Sequence, residues 1–245
     1  MKKILVANWK MKPTTLADVE LLTRASDAEG VVLAPPFPYL DFVKKMARHA
    51  GLCVQNVFFE NPKNGGAFTG EVSCAMAKAM GATYAIIGHS ERRQFLGESD
   101  AMIARKVAVA LEAGLIPILC VGERHEVRHK GEAQAVGFVG MQLMTDLSLL
   151  KNEPSELIVA YEPVWAIGTG NNATPEQASV MSSAIRKAIS TNHPSLRLKV
   201  LYGCSVNAGN IAGFARERDI DGFLVGGASA DAGEFPKLIS IIHNL

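Results

Sequence analysis

Short, continuous runs of apolar residues alternate along the chain with longer segments in which apolar residues recur at helical spacing. Unbroken apolar runs are typical of strands that are buried on both faces, as in parallel sheets. Eight such runs occur: Ile4–Ala7, Val31–Ala34, Leu52–Val54, Tyr84–Ile87, Ile116–Val121, Leu157–Tyr161, Val200–Tyr202 and Phe223–Val225. The pattern therefore predicts eight parallel strands connected by helices.

The segments between these runs predict amphipathic helices. Single helical faces are predicted to carry Leu40, Val43, Ala47 and Ala50, then Ile103, Val107, Ala110 and Leu111, and then Ala178, Met181, Ile185 and Ala188. Gly51 and Gly114 are predicted to stop the first two helices. Thr174, Pro175 and Gln177 predict the start of the third, as N-cap, first-turn proline and capping-box glutamine.

Eight strand–helix units in 245 residues favour an α/β fold of one closed (β/α)8 barrel. The alternative is an open, doubly wound sheet, which also alternates strands with helices. The count of eight favours the barrel, and so does the absence of a G-x-G-x-x-G pattern after the first run. No linker-like stretch divides the chain, so we predict a single domain over residues 1–245.

Composition and net charge limit the kinds of molecule that this protein is expected to bind. The chain is 48% hydrophobic, which suits a large core, and its formal net charge is +1. We therefore expect neither nucleic acid nor an anionic membrane as a partner. The apolar stretch near the start is too short for a signal peptide, and no stretch is long enough to span a membrane.

The cysteines predict a reducing compartment. Cys53, Cys74, Cys120 and Cys204 are far apart and form no C-x-x-C pair. We expect a cytoplasmic protein in which these residues fill the core or lie in loops.

Polar side chains follow several of the runs and would meet at one end of the barrel. Asn8 and Lys10 follow the first run, His89 the fourth, Glu123 the fifth and Glu162 the sixth. In barrels of this type the active site lies at the carboxyl ends of the strands. We expect a catalytic site there, with Asn8 and Lys10 pointing the same way as residues two apart in a strand.

Each of these residues could instead have a purely structural role. Glu162 follows an apolar strand that disfavours its charged form, which suits a general base, but it could instead pair with an arginine. His89 precedes a possible short helix whose N-terminus disfavours a cationic imidazole, but a lone histidine is more often a satisfied core residue. Lys10 alone could be a surface lysine. We predict no metal site.

Glycines cluster after the last three runs. They are Gly168 and Gly170, then Gly203, then Gly226 and Gly227. Glycine lets backbone N–H groups approach an anion, and the loops after the seventh and eighth strands often hold phosphate. The apolar loop that runs from Pro163 to Gly170 is predicted to be a lid that excludes water, or else a segment packed permanently on the rim.

Four blocks of sequence together resemble the triosephosphate isomerase family along the whole chain. They are Asn8-Trp9-Lys10, Gly88-His89-Ser90-Glu91-Arg92-Arg93, Ala160-Tyr161-Glu162-Pro163-Val164-Trp165-Ala166-Ile167-Gly168-Thr169-Gly170 and Leu224-Val225-Gly226-Gly227-Ala228-Ser229. The resemblance implies a TIM barrel and an aldose–ketose isomerase, an intramolecular oxidoreductase of glycolysis and gluconeogenesis. Its small phosphorylated substrates would be dihydroxyacetone phosphate and D-glyceraldehyde 3-phosphate.

The resemblance also implies roles for single residues. Glu162 would be the base and His89 the neutral electrophile, a pairing for which this family is the standard example. Lys10, helped by Asn8, would stabilise negative charge, and Ser90 and Glu91 would support these groups. The phosphate would be held by backbone groups at Gly168, Ser205, Gly226 and Gly227. The loop from Pro163 would close over the enediolate, and no cofactor would be required.

A homodimer is implied as well. The segment from Gly66 to Glu71 resembles the end of the family's interface loop, so that Thr69 would reach the partner and Glu71 would pair with Arg92 across the interface. The sequence departs from the family in three places: the stretch from Val57 to Gly66 is longer, Asn171-Asn172 follows Gly170, and Cys204 replaces a glycine. Because cysteine tolerates a positive φ poorly, Cys204 is expected to adopt an ordinary conformation.

Two other functions remain open from the sequence. A different phosphosugar isomerase on a barrel would use the same glycine sites, although the lid block and the block around His89 argue against it. A non-catalytic binding protein on an inherited barrel is the second alternative. The retention of Lys10, His89 and Glu162 argues against that alternative.

Overall fold

Eight parallel strands form a closed barrel in the computed structural model, which describes residues 3–62, 65–167 and 172–245. The strands are β1 (Ile4–Asn8), β2 (Val31–Ala34), β3 (Gly51–Val54), β4 (Tyr84–Ile87), β5 (Ile116–Val121), β6 (Glu156–Tyr161), β7 (Arg197–Tyr202) and β8 (Gly222–Val225). Neighbours in sequence pair in parallel, and β1 also pairs with β8. The predicted (β/α)8 barrel is confirmed, and the open sheet is wrong.

Helices surround the barrel. Those of the described residues are α1 (Leu16–Ser26), α2 (Leu40–Met46), α3 (Cys74–Ala79), α4 (Ser90–Phe95), α5 (Asp100–Glu112), α6 (His125–Arg128), α7 (Glu132–Asp146), α8 (Pro175–Asn192), α9 (Ile211–Ala215) and α10 (Phe235–His243). The predicted start of α8 is confirmed, because Thr174 and Gln177 exchange both hydrogen bonds of a capping box. Gly114 follows α5 with a φ of 74°, as expected of a helix stop.

The predicted end of the second helix is wrong. Helix α2 ends at Met46, Ala47 is extended, and Gly51 begins β3 instead of stopping a helix. The carboxylate of Asp27 accepts the backbone N–H groups of residues 48–50 at 2.8–2.9 Å. These bonds satisfy donors that a longer helix would have used internally, so they hold the segment in a turn.

The core has two layers. The barrel interior is filled by one face of the strands, with Val6, Val32, Ile86, Ile118 and Leu224 among its residues. The opposite face packs against the helices. All four cysteines are buried and free, which confirms that they fill the core. Among the described residues, no helix is long and apolar enough to cross a membrane.

Candidate active site

The carboxyl ends of five strands surround a small cavity of about 80 Å³. Its lining is Asn8, Lys10, His89, Glu162, Ile167, Gly203, Cys204, Ser205, Leu224, Gly226 and Gly227. The strands β1, β4, β6, β7 and β8 deliver these residues from distant parts of the sequence. The barrel therefore brings together the predicted lysine, histidine and glutamate with the glycines that follow β7 and β8.

Glu162 is held at the end of β6 by neutral donors. Its backbone N–H donates to the carbonyl of Val121, and its side chain is almost completely buried. One carboxylate oxygen accepts the backbone N–H of Ser90 at 2.8 Å, and the other lies 3.1 Å from Nε2 of His89. No described arginine contacts this carboxylate, so the alternative of a structural ion pair with arginine is wrong. The partners leave Glu162 placed as a base beside an imidazole.

His89 is the N-cap of α4, as its position before a short helix predicts. Its Nδ1 accepts the backbone N–H of Glu91 at 3.2 Å. An Nδ1 that accepts a hydrogen bond carries no proton, which places the ring proton on Nε2. In this tautomer the ring donates its Nε2–H towards Glu162 and the cavity.

Lys10 reaches the cavity by a different route from the one predicted. β1 ends at Asn8, and Lys10 has a φ of 54°, the one positive value found among non-glycine residues in the described parts of the chain. The prediction of a strand-like pair is therefore wrong. Asn8 accepts the backbone N–H of Lys10 through its side-chain oxygen at 3.1 Å, which supports the left-handed turn. The ammonium group donates to Glu91 at 2.5 Å.

Gly226 and Gly203 leave room for the side chains of Lys10 and Glu162. A Cβ added at Gly226 would lie 3.0 Å from Cε of Lys10, and one at Gly203 would lie 3.2 Å from Cγ of Glu162. Cys204 has no positive φ, which confirms that prediction. Its thiol is buried, and burial raises its pKa, so it is not an activated nucleophile.

The described half of the predicted lid packs against the rim. Ala166 is fully buried, and Ile167 faces the cavity. The indole N–H of Trp165 donates to Glu123 at 2.9 Å. The remaining predicted lid and phosphate residues, Gly168, Thr169 and Gly170, lie outside the described residues, as does Asn171.

Glu123 does not join the cavity, contrary to the prediction that it lies with the other reactive residues at the barrel mouth. It is fully buried and accepts hydrogen bonds from Trp165 and from the hydroxyl of Tyr161, at 2.9 and 3.0 Å. Burial raises its pKa, and these hydrogen bonds oppose that shift. Arg128 lies over the Trp165 ring, 5.4 Å from its centroid. Glu123 thus anchors the start of the loop.

Arg93 supports the site in a way that motif reasoning missed. Its guanidinium group donates to the carbonyls of Gly88 and Cys120 at 2.7 and 3.0 Å, which ties the ends of β4 and β5 together. It also donates to the buried carboxylate of Asp146 at 2.6 Å. Burial raises the pKa of Asp146 to about 7. The signal in the sequence was only a second arginine after His89, because Asp146 is remote in the chain.

The predicted interface residues lie on an exposed edge of the same barrel end. Thr69 and Glu71 are exposed, and Arg92 donates to Glu98 of its own chain at 2.5 Å. Large apolar side chains nearby are exposed as well, including Met11, Phe68, Phe95 and Leu96. Gln55 links this edge to the site by donating to the carbonyl of Lys10 at 2.8 Å.

Comparison with known proteins agrees with this geometry. A family model described as triosephosphate isomerase matches residues 3–242. The triosephosphate isomerase of Thermus thermophilus is 44% identical, over 98% of this chain and 99% of the relative. That of Acidithiobacillus ferrooxidans is 46% identical, over 97% and 96%. That of Caldanaerobacter subterraneus is 42% identical, over 98% and 99%.

Proposed function

The chain belongs to the triosephosphate isomerase family and is an isomerase of that type, and we propose that Glu162, His89 and Lys10 carry out its chemistry. The reaction interconverts dihydroxyacetone phosphate and D-glyceraldehyde 3-phosphate, a step of glycolysis that runs in reverse in gluconeogenesis. The observation that carries the assignment is the carboxylate of Glu162, 3.1 Å from Nε2 of His89 in a cavity that Lys10 also lines.

The carboxylate of Glu162 removes a proton from the carbon next to the substrate carbonyl and returns it to the former carbonyl carbon. The Nε2–H of His89 donates a hydrogen bond to the carbonyl oxygen and moves protons between the two oxygens. The substrate oxygen takes the place beside His89 that Glu162 occupies in the free protein. The Lys10 ammonium group and Asn8 stabilise the enediolate, while Ser90 and Glu91 orient these groups.

We assign phosphate binding to backbone groups after β6, β7 and β8, at Gly168, Ser205, Gly226 and Gly227. Gly227 also begins a short 3-10 helix over residues 227–230. The loop from Pro163 to Gly170 closes over the bound substrate and excludes water, which prevents loss of phosphate from the enediolate. The reaction needs no electron acceptor, because the electron pair of the broken C–H bond stays within the substrate while Glu162 carries the proton from one carbon to the other. No metal or cofactor is therefore assigned to it.

We further propose a homodimer that covers the exposed apolar edge. Met11 is 91% exposed and Phe95 72% exposed, which is costly for side chains of this size. Thr69 reaches the partner, and Glu71 pairs with the partner's Arg92. Sedimentation at nanomolar concentration, together with an activity assay, tests this proposal. We expect an active dimer, and a fully active monomer would contradict it.

Two broader assignments complete the proposal. One domain over residues 1–245 is supported by the pairing of β1 with β8, which uses both ends of the chain. A cytoplasmic location is supported by the four free, buried cysteines. The sequence departs from the family pattern at residues 57–66, at Asn171-Asn172 and at Cys204. None of these departures replaces Lys10, His89 or Glu162.

The direct test is the conversion of glyceraldehyde 3-phosphate by the purified chain, without added metal or cofactor. Glu162→Ala is expected to lower kcat by at least about 10³-fold, because a positioned base is lost. Circular dichroism checks that the variant folds. A folded variant that retains most activity would overturn the assignment of Glu162 as the base. Turnover of other phosphosugars in preference to trioses would overturn the proposed substrate.

A further inference from the structure

Two histidines lie one helical turn apart on the surface beside the lid. His125 begins α6 and His129 caps its end, with the backbone N–H of His129 donating to the carbonyl of His125 at 2.9 Å. Residues at positions i and i+4 lie on the same face of a helix. The two imidazole centroids are 4.6 Å apart, and the ring planes meet at 65°.

This spacing suits two ligands of one metal ion. With metal–nitrogen bonds of about 2.1 Å, two imidazoles on one ion place their centroids roughly 4.5–5 Å apart. Both side chains are exposed, and neither makes a side-chain hydrogen bond to the described residues. Arg124 and Lys130 flank the pair in sequence and are exposed, and the guanidinium group of Arg128 is directed towards Trp165 and Glu123. The face that the two rings share is therefore open to an ion.

We propose that His125 and His129 form a chelating site for a divalent transition-metal ion, with Cu²⁺ bound more tightly than Ni²⁺ or Zn²⁺. Imidazole nitrogens select these ions over Mg²⁺ and Ca²⁺, which prefer oxygen. The prediction of no metal site overlooked this pair, although its H-x-x-x-H spacing is visible in the sequence. This site is separate from the proposed isomerase reaction.

The pair is a chelate and not a hydrolytic centre. Residues 125–129 read His-Glu-Val-Arg-His, which is also the first part of a zinc-protease motif. Here the helix is a single exposed turn, and no third histidine, cysteine or carboxylate joins the pair among the described residues. Solvent would complete the coordination sphere. Occupation of the site would hold α6 helical, because the ion bridges its two ends.

Calorimetric titration of tag-free protein with CuCl₂, NiCl₂, ZnCl₂ and MgCl₂ tests the proposal. We expect one transition-metal ion per chain and no binding of Mg²⁺. His125→Ala and His129→Ala should each lower the affinity at least tenfold, since losing a direct ligand costs no less than the roughly 10–100-fold that outer partners cost. His49→Ala is the matched control, because His49 is exposed and lies beside Asp27 and not beside a second histidine, and it should bind like the parent.

Tryptophan fluorescence provides a second readout. Arg128 of the same turn contacts Trp165, whereas the second tryptophan, Trp9, is buried in the core. Bound Cu²⁺ should quench the parent strongly and Trp165→Phe weakly, and an excess of EDTA should reverse the quenching because it removes the ion from the site. Unchanged affinity in both histidine variants would overturn the proposal, and loss of binding in His89→Ala instead would place the ion at His89 and Glu162.

Discussion

The two sides of the active-site cavity are built on opposite principles. The acid–base side depends on side chains, and the first residues of α4 hold them in place. The phosphate side is assigned to backbone groups after β6, β7 and β8, where glycines leave space. Reactive side chains must be held in a fixed orientation. Backbone groups that bind phosphate need free space where a side chain would otherwise lie.

Helix α4 organises the acid–base side residue by residue. His89 caps it, and the backbone N–H of Ser90 holds Glu162. Glu91 holds Lys10, and Arg93 ties the end of β4 to that of β5. A helix of only six residues thus orients all three reactive side chains. Its contacts are polar and are partly or fully buried, so that losing them is costly.

The phosphate side also serves the acid–base side by making room for it. Gly226 lies against the stem of Lys10, and Gly203 lies against the stem of Glu162. In both places an added Cβ would press against a neighbouring side chain, and neither glycine has a positive φ. Gly227 differs from them, since a Cβ added there would meet nothing within 4 Å. Lys10 and Glu162 therefore need the space that Gly226 and Gly203 leave, but they do not need a glycine at position 227.

The largest effect is expected for a change on the acid–base side. His89→Gln removes the neutral ring donor, and we expect kcat to fall by about 10²–10⁴-fold, the usual contribution of a positioned proton-transfer group. KM should change much less, because the phosphate contacts remain. Steady-state kinetics in both directions measures this, with thermal unfolding as the check on folding. A loss confined to KM would show that His89 only binds substrate.

A smaller effect is expected where the two sides meet. Gly226→Ala forces Lys10 to shift, and we expect kcat/KM to fall by about 10–100-fold, as misplacement by an ångström can cost. Gly137→Ala on α7 is the matched control, because an added Cβ meets nothing within 4 Å there and the residue does not line the cavity, so it should remain within about twofold of the parent. Steady-state kinetics of the two variants side by side makes the comparison. Equal losses would mean that the effect of Gly226→Ala is a general one on the fold, and not one on the space around Lys10.

The sequence predicted well which side chains meet at the cavity, because the topology of the barrel limits them. Eight apolar runs indicated the barrel, and strand ends then placed Lys10, His89 and Glu162 together. Local conformation was harder, because Lys10 adopts a left-handed turn and Asp27 ends α2 early through bonds to residues 48–50. Such bonds join residues that no periodic pattern connects. Arg93 and Asp146, 53 positions apart, were invisible for the same reason.

The pH dependence of the unfolding free energy tests the contact between Asp146 and Arg93, which supports the acid–base side of the cavity. Burial raises the folded pKa of Asp146 to about 7, well above the usual value of an aspartate, so the folded protein holds a proton that the unfolded chain has released. Stability should therefore fall as the pH rises from about 4 to about 7. Asp146→Asn lacks this titration, and the difference in unfolding free energy between parent and variant should change by roughly 1–3 kcal/mol over that range.

Urea denaturation of the two proteins between about pH 4 and pH 8 measures that difference. Subtracting the variant from the parent removes the contributions of the other titrating groups. Parallel curves would show that the carboxylate stays ionised beside Arg93 throughout, and that burial does not prevail over the ion pair. A difference in unfolding free energy that grows with rising pH would show that ionisation of the buried Asp146 carboxyl group lowers the stability of the folded protein.

The smallest effect is expected for a side chain on the phosphate side. Ser205 is exposed, and its assigned contact with phosphate is through the backbone, which Ser205→Ala keeps. We expect kcat and KM to stay within about twofold of the parent, as for most exposed substitutions. Ser205→Pro is the contrasting variant, because it removes the N–H and should raise KM while leaving Glu162 and His89 in place. A large loss in Ser205→Ala would show that the hydroxyl group binds phosphate, and that this side also depends on side chains.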